Sequence, residues 1–339
     1  MAQHEVITEE KAHLRQILEV RDLRVAYGRR DGGVLHALNG VSFGVGAGEI
    51  LAVLGESGSG KSTLAAALLR LLPMSARITG EILLEGADVV RMGAVELRRM
   101  RGSGVSIIFQ EPSLALHPTI RIGDQVGEVL RAHHALSKRG RAERAREILA
   151  KVFSDDVQRI CSSYPHEMSG GQQQRALIAQ AIACEPALVI ADEPTASLDP
   201  STQREILTLF RSLRNNLGIA FIFITHNPAL LAGFADRLLV LYAGKVAEVG
   251  PTEAVLSSPQ HPYTQALLKC MPQVDTTQGA RRKTLLPVIA GAAPSVVSLS
   301  RGCVFEPRCE QRMEICQVHE PVAAMTGSRH EVSCLKFPA

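Results

Sequence analysis

The chain lacks a charge surplus: 37 Lys and Arg stand against 34 Asp and Glu, a formal +3 over 339 residues. With no basic tail either, charge gives no reason to expect a nucleic-acid partner. No apolar run approaches the roughly 18 residues that span a bilayer. The longest, "GIAFIFIT" and "PALVIAD", have the length of buried strands. The first residues, "MAQHEVITEEKAHLRQ", are polar with charges of both signs, so no secretory signal is expected. Internal repeats are missing too, so no duplicated unit is expected. These absences put the chain in the cytoplasm. What is present, 46% hydrophobic and 21% charged residues, is an ordinary globular balance with length for one large or two modest domains.

Residues 18–54 alternate β-type runs with turn signals, including a Gly-rich turn around Asp31. "GEILAVLG" is a short apolar run ending in glycine, a buried strand, and "KSTLAAALLRLL" follows with helical periodicity. Residues 111–165 are charged and rich in helix formers, a helical insertion. "ALVIADE" and "GIAFIFIT" are further buried strands, each followed or preceded by helical segments. Strands alternating with helices predict a parallel, doubly wound α/β sheet. Residues 273–300 have linker composition, and a cysteine-rich tail begins at Gly302.

"GESGSGKST" at Gly55–Thr63 fits the P-loop pattern with the required strand before it and helix after it. Gly55, Gly58 and Gly60, interleaved with Ser57 and Ser59, let successive N–H groups turn toward phosphate oxygens. Lys61 brings a point charge to the outer phosphates, Ser62 offers a hydroxyl to Mg²⁺, and Thr63 continues the helix start. Asp192, ending "ALVIAD", suits the Mg²⁺ shell through water, and Glu193 can polarise the attacking water. A second phosphate-binding helix start follows from "YPHEMSGGQQQR": Ser169, Gly170 and Gly171, then Gln172. One chain needs only one cradle, so the second raises the question of whose phosphate it holds.

"SGGQQQR", "DEPTASLD" and "ITH" together with the P-loop resemble the ATP-binding cassette (ABC) ATPase family over residues 18–272. That resemblance implies a RecA-like parallel core, an antiparallel β subdomain and a helical signature subdomain at about 111–175. It implies cassettes facing head to tail, with Ser169, Gly170, Gly171 and Gln172 closing on ATP held by a second subunit. It makes Tyr27 the adenine-stacking aromatic, Gln110 the sensor of γ-phosphate and Mg²⁺, and Asp199 a contact to the other subunit. His226 becomes the switch residue beside Glu193. Three departures stand out. Met168 replaces the usual leucine, a size-conserving swap; Asn227 stands where aspartate is common; and Tyr27 is followed directly by Gly28.

"SSPQHPYTQALL" at Ser257–Leu268, "GCVFEPRC" and "FQEPSLALHP" resemble the D- or F-type ATPase subunits of oligopeptide/dipeptide and nickel permeases. The resemblance implies a motor at the cytoplasmic face of the membrane, two integral permease subunits and an external solute-binding protein. The alternatives are a soluble ABC ATPase of translation or DNA repair, or a motor for nickel or another solute. Residues 273–339 would form the C-terminal extension, with His261, Pro262 and Tyr263 packing at a helix start.

Cys161, Cys184 and Cys270 are scattered, while Cys303, Cys309, Cys316 and Cys334 crowd the tail with five, six and seventeen residues between them. In a reducing compartment such a group argues for metal or thiolate chemistry. The spacing is wider than zinc knuckles use, and the resemblance implies a [4Fe–4S] cluster. Zinc, with His319 or His330 replacing one thiolate, is the alternative, and buried free thiols are the third reading. A structural staple is expected because the tail holds few apolar residues of its own.

Overall fold

The computed structural model describes residues 15–28, 33–154, 156–271, 287–291 and 301–338. The turn expected around Asp31 and most of the linker expected over 273–300 fall outside them.

Strands β1 (Gln16–Gly28), β2 (Val34–Gly46), β4 (Ala76–Leu84) and β5 (Ala87–Asp88) form an antiparallel sheet in the order β2-β1-β4-β5. The principal sheet has β3 (Ile50–Leu54), β6 (Val105–Ile108), β7 (Leu188–Asp192), β8 (Ala220–Thr225), β9 (Arg237–Tyr242), β10 (Lys245–Pro251), β11 (Ala324–Gly327) and β12 (His330–Val332). Its order is β11-β12-β10-β9-β3-β8-β7-β6, parallel from β9 to β6 and antiparallel beyond β9. Helices are α1 (Lys61–Leu68), α2 (Ala94–Ser103), α3 (Pro112–Ala115), α4 (Ile122–His133), α5 (Lys138–Val152), α6 (Val157–Ser162), α7 (Gly170–Ile182), α8 (Pro200–Leu217), α9 (Thr252–Ser257) and α10 (Pro262–Lys269). The expected helical insertion is α3–α6 and the start of α7.

Every residue of β3 and β8 is buried, because an interior parallel strand is covered on both faces. Their alternation sorts two cores. Ile50, Ala52, Leu54, Phe221 and Phe223 face α4, α5, α7 and α8. Leu51, Val53, Ile222 and Ile224 face the antiparallel sheet and α1. The carboxyl ends of β3, β8, β7 and β6 therefore lie side by side, with Leu54 opposite Thr225, Ile224 opposite Asp192 and Ala191 opposite Ile108. In open α/β sheets, ligands bind at this edge. Among the described residues no helix is long and apolar enough to cross a membrane.

The tail does not stand apart. Its hairpin β11–β12 extends the principal sheet, with Val332 opposite Glu248 on β10. Phe305 is buried in an aromatic group with Tyr242 and Tyr263, ring centroids 5.2 and 5.4 Å away. Glu248, fully buried, accepts from His330 Nε2 at 2.7 Å and from the backbone N–H groups of Gln260 and His261. The tail, expected from its composition to need a staple, is also held by the cassette's core.

Candidate nucleotide site

Leu54 delivers the chain into the P-loop with no room to spare. A Cβ on Gly55 would lie 2.3 Å from the Leu241 carbonyl oxygen, and Gly60 has φ +107°, open to glycine alone at low cost. Lys61, 7% exposed, folds back so that Nζ donates to the carbonyls of Gly55 (2.7 Å) and Glu56 (2.9 Å). Burial lowers its pKa, opposed by Glu193, Asp192 and Glu56. Ser59 Oγ is buried without a hydrogen-bond partner among the described residues. Burial raises the Asp192 carboxyl, and the neighbouring Ser62 hydroxyl works against that shift.

At the neighbouring strand ends, three side chains converge. Glu193 Oε2 meets His226 Nδ1 at 3.0 Å and Gln110 Nε2 at 3.3 Å. Glu193 has φ +48°, the left-handed region that a glutamate enters at a cost, and its N–H is held by the Ile224 carbonyl at 3.0 Å. A cleft of about 690 Å³ joins the pieces: Ser57, Gly58, Gly60, Lys61, Ser62 and Thr63 on one wall, Gln110, Glu193 and His226 on another, Tyr27 at the antiparallel sheet. Asn227 caps the turn after β8, its Oδ1 accepting from Ala229 N–H, and leaves the His226–Glu193 contact in place. Met168 is buried in the larger core.

The structure does not bring the second helix start into this cleft. Ser169 is the N-cap of α7, in a reciprocal box with Gln172: Ser169 Oγ accepts from Gln172 N–H at 3.3 Å, and Gln172 Oε1 from Ser169 N–H at 3.1 Å. The N–H groups of Gly170 and Gly171 donate to nothing among the described residues. Asp199 lies beside them, since a Cβ on Gly171 would touch Thr202. Asp199 caps α8, accepting from the N–H of Ser201 (3.0 Å) and Thr202 (3.1 Å) and from Thr202 Oγ1 at 2.6 Å. The Ser201 hydroxyl, first, and these bonds hold its carboxyl well below the usual range. Signature and Asp199 thus share one exposed face.

The four tail cysteines do not form the expected centre. All are free, and among the described residues no three His, Cys, Asp or Glu side chains are grouped to hold a metal ion. Cys303 and Cys309 pack against the larger core. Burial first, then the neighbouring cysteines, pushes Cys303 up to about 11. His330, an alternative zinc ligand, is occupied by Glu248.

A model described as "ABC transporter" matches residues 38–196, and "Oligopeptide/dipeptide transporter, C-terminal region" matches 247–316. The chain is 40% identical to the oligopeptide transport ATP-binding protein OppD of Salmonella typhimurium, covering 97% of this chain and 96% of that protein. The chain belongs to the oligopeptide/dipeptide ABC transporter ATPases. Within that family, the dipeptide transport ATP-binding protein DppD of Bacillus subtilis is 40% identical over 95% of each chain. Among solved structures, an ATP-binding cassette dimer in a post-hydrolysis state with ADP and Pi superposes with TM-score 0.61 and 28% identity, covering 69% of this chain and 98% of that one. So does cbiO1 from Clostridium perfringens, part of an ABC transporter complex, with TM-score 0.61 and 30% identity over 72% and 91%. The family's cassette fold is the one described above.

Two contacts escaped sequence reasoning, which expected Tyr263 only to pack at a helix start. Tyr263 and Arg308 both reach the P-loop at Glu56, and no spacing rule connects positions so far apart.

Proposed function

We propose that this chain is the ATP-hydrolysing motor subunit of a di/oligopeptide importer, acting at the cytoplasmic face of the membrane. The observation that carries it is the convergence of P-loop, Gln110, Glu193 and His226 on one cleft, in a chain matching peptide-transport ATPases from end to end. The match to the peptide-transporter C-terminal region favours this over nickel import or a translation or repair role.

Residues 18–272 act as the nucleotide cassette and 273–339 as the extension. Tyr27 stacks on adenine while the P-loop N–H groups and Lys61 hold the phosphates. Ser62, Asp192 and Gln110 would hold Mg²⁺; the Ser62 hydroxyl is near enough to Asp192 to act on its carboxyl. When bound, that ion would supply positive charge to the phosphates. Glu193, oriented by His226 and Gln110, polarises the attacking water.

Support for a two-subunit site comes from the N–H groups of Gly170, exposed, and Gly171, half-buried, which meet no acceptor among the described residues at a helix start outside their own cleft. A second cassette, identical or paralogous, would present its phosphates there, with Gln172 and Asp199 at the contact. Phe109 and Leu114, 50% and 81% exposed beside Gln110, suit docking of a permease subunit, whose partners would include an external binding protein.

Cells lacking this chain should fail to accumulate labelled di- or oligopeptides. Wild type should restore uptake, and Lys61→Ala should not; normal uptake without the chain refutes the reading. The finer reading of the tail, a [4Fe–4S] cluster or zinc, has cysteine spacing behind it and no ligating geometry, so no step passes through it. Iron and zinc analysis of anaerobically purified protein separates about four irons, one zinc and neither.

A further inference from the structure

Glu56 puts a carboxylate inside a loop meant for polyphosphate. Its carbonyl holds Lys61 Nζ, and its charge acts on that ammonium. Left unpaired, it would repel phosphate and compete for Lys61. It is not left unpaired. Arg308 of the extension grips it with both arms of the guanidinium, NH1 to Oε2 at 2.8 Å and NH2 to Oε1 at 3.2 Å. The remaining guanidinium donors go to the Ala290 and Ile289 carbonyls and the Tyr242 hydroxyl, so all five N–H groups are used. The Arg308 side chain is only 6% exposed. From the same side, Tyr263 Oη accepts the Glu56 N–H at 3.0 Å, fixing the backbone that the guanidinium fixes through the side chain.

We propose that Arg308 is a positioning residue for ATP binding: the C-terminal extension neutralises and immobilises Glu56, and thereby sets the nucleotide affinity of the P-loop. A guanidinium suits the task because its fork matches a carboxylate in two bonds and stays charged at any working pH. The extension thus acts on the motor from behind the phosphate cradle, without touching the nucleotide. Anything that lifts the extension off the cassette would weaken ATP binding by the same route. The inference rests on the P-loop being the ATP site, and the experiment separates the two.

Equilibrium binding of Mg²⁺–ATP to the full chain should be measured for wild type, Arg308→Ala, Glu56→Gln, the double variant and Lys61→Ala, with thermal melting to verify folding. Arg308→Ala should weaken ATP at least about fivefold, the scale of an uncompensated, partly buried charge, and more at low salt than at high. Adding Glu56→Gln should bring affinity back to within about twofold of wild type, since no unpaired carboxylate then remains. Wild-type affinity in Arg308→Ala, or a double variant as weak as Arg308→Ala, overturns the proposal. Should Arg308→Ala not fold, Glu56→Gln alone decides: affinity equal to or tighter than wild type supports the proposal, and a loss beyond about fivefold overturns it. Retention of ATP by Lys61→Ala would instead overturn the P-loop reading itself.

Discussion

Glu193 shows what one residue is asked to do. Its backbone sits in the left-handed region and its carboxylate touches both His226 and Gln110. Glu193→Gln keeps the shape and the hydrogen bonds but removes the carboxylate proposed to polarise water. Turnover should fall by about 10²-fold or more while ATP affinity stays near wild type, because Lys61, Ser62 and Asp192 are untouched. Turnover close to wild type would remove Glu193 from its role. Gly55 sets a different limit: Gly55→Ala would drive a methyl to 2.3 Å from the Leu241 carbonyl oxygen, which belongs to backbone and cannot swing away. ATP binding should be lost, as measured by titration, before the fold is.

The element that carries the proposed second phosphate motif is α7. Its first turn satisfies one N–H by Ser169 and leaves those of Gly170 and Gly171 without acceptors among the described residues, on a face shared with the start of α8. Ser169→Arg would place a bulky cation over those donors and remove the cap. In the assembled transporter, ATP should still bind its own P-loop while hydrolysis collapses. Loss of ATP binding as complete as in Lys61→Ala would show that both motifs serve one nucleotide. Asp199→Ala should lower the melting temperature more than Asp199→Asn, since asparagine also caps a helix. Equal melting of the two would mean the cap at α8 is not what Asp199 supplies.

At the scale of the whole molecule, the extension is part of the cassette. His261 caps α10, its Nδ1 accepting from Tyr263 N–H at 3.0 Å, and burial pushes its imidazole down to about 4 despite a bond to Ser333 backbone. The unfolded chain titrates this imidazole near 6.5. Between those values the unfolded state binds the extra proton, so stability falls as pH drops from about 6.5 toward 4 and is intact above. His261→Asn keeps a capping side chain without the titration. Its urea midpoint should therefore drop less than wild type between pH 7 and pH 5; an equal drop would assign the loss to other groups. His330→Ala would leave Glu248 buried with backbone donors alone, a loss of about 3 kcal/mol by urea unfolding.

The sequence alone determined whatever is local. Strand, loop and helix follow one another from Ile50 to Leu68, so the P-loop was legible in a single reading. Apolar runs named β3, β7 and β8, and the carboxylates ending "ALVIADE" needed only that strand to be placed. The role of Ser169 could be posed but not answered from adjacent residues. Only tertiary structure decided the rest. Parallel pairing brings the ends of β3, β6, β7 and β8 to one edge, which is why Gln110, Glu193 and His226 meet. The tail misled, because composition counts only its own apolar residues. Its anchors are Tyr242, Tyr263 and Glu248 of the cassette, and burial against a borrowed surface leaves no local pattern. For the same reason the four cysteines suggested a metal centre, and among the described residues no such group of ligands is found. Glu56 reads as one more residue of a glycine-rich loop until Arg308 arrives beside it.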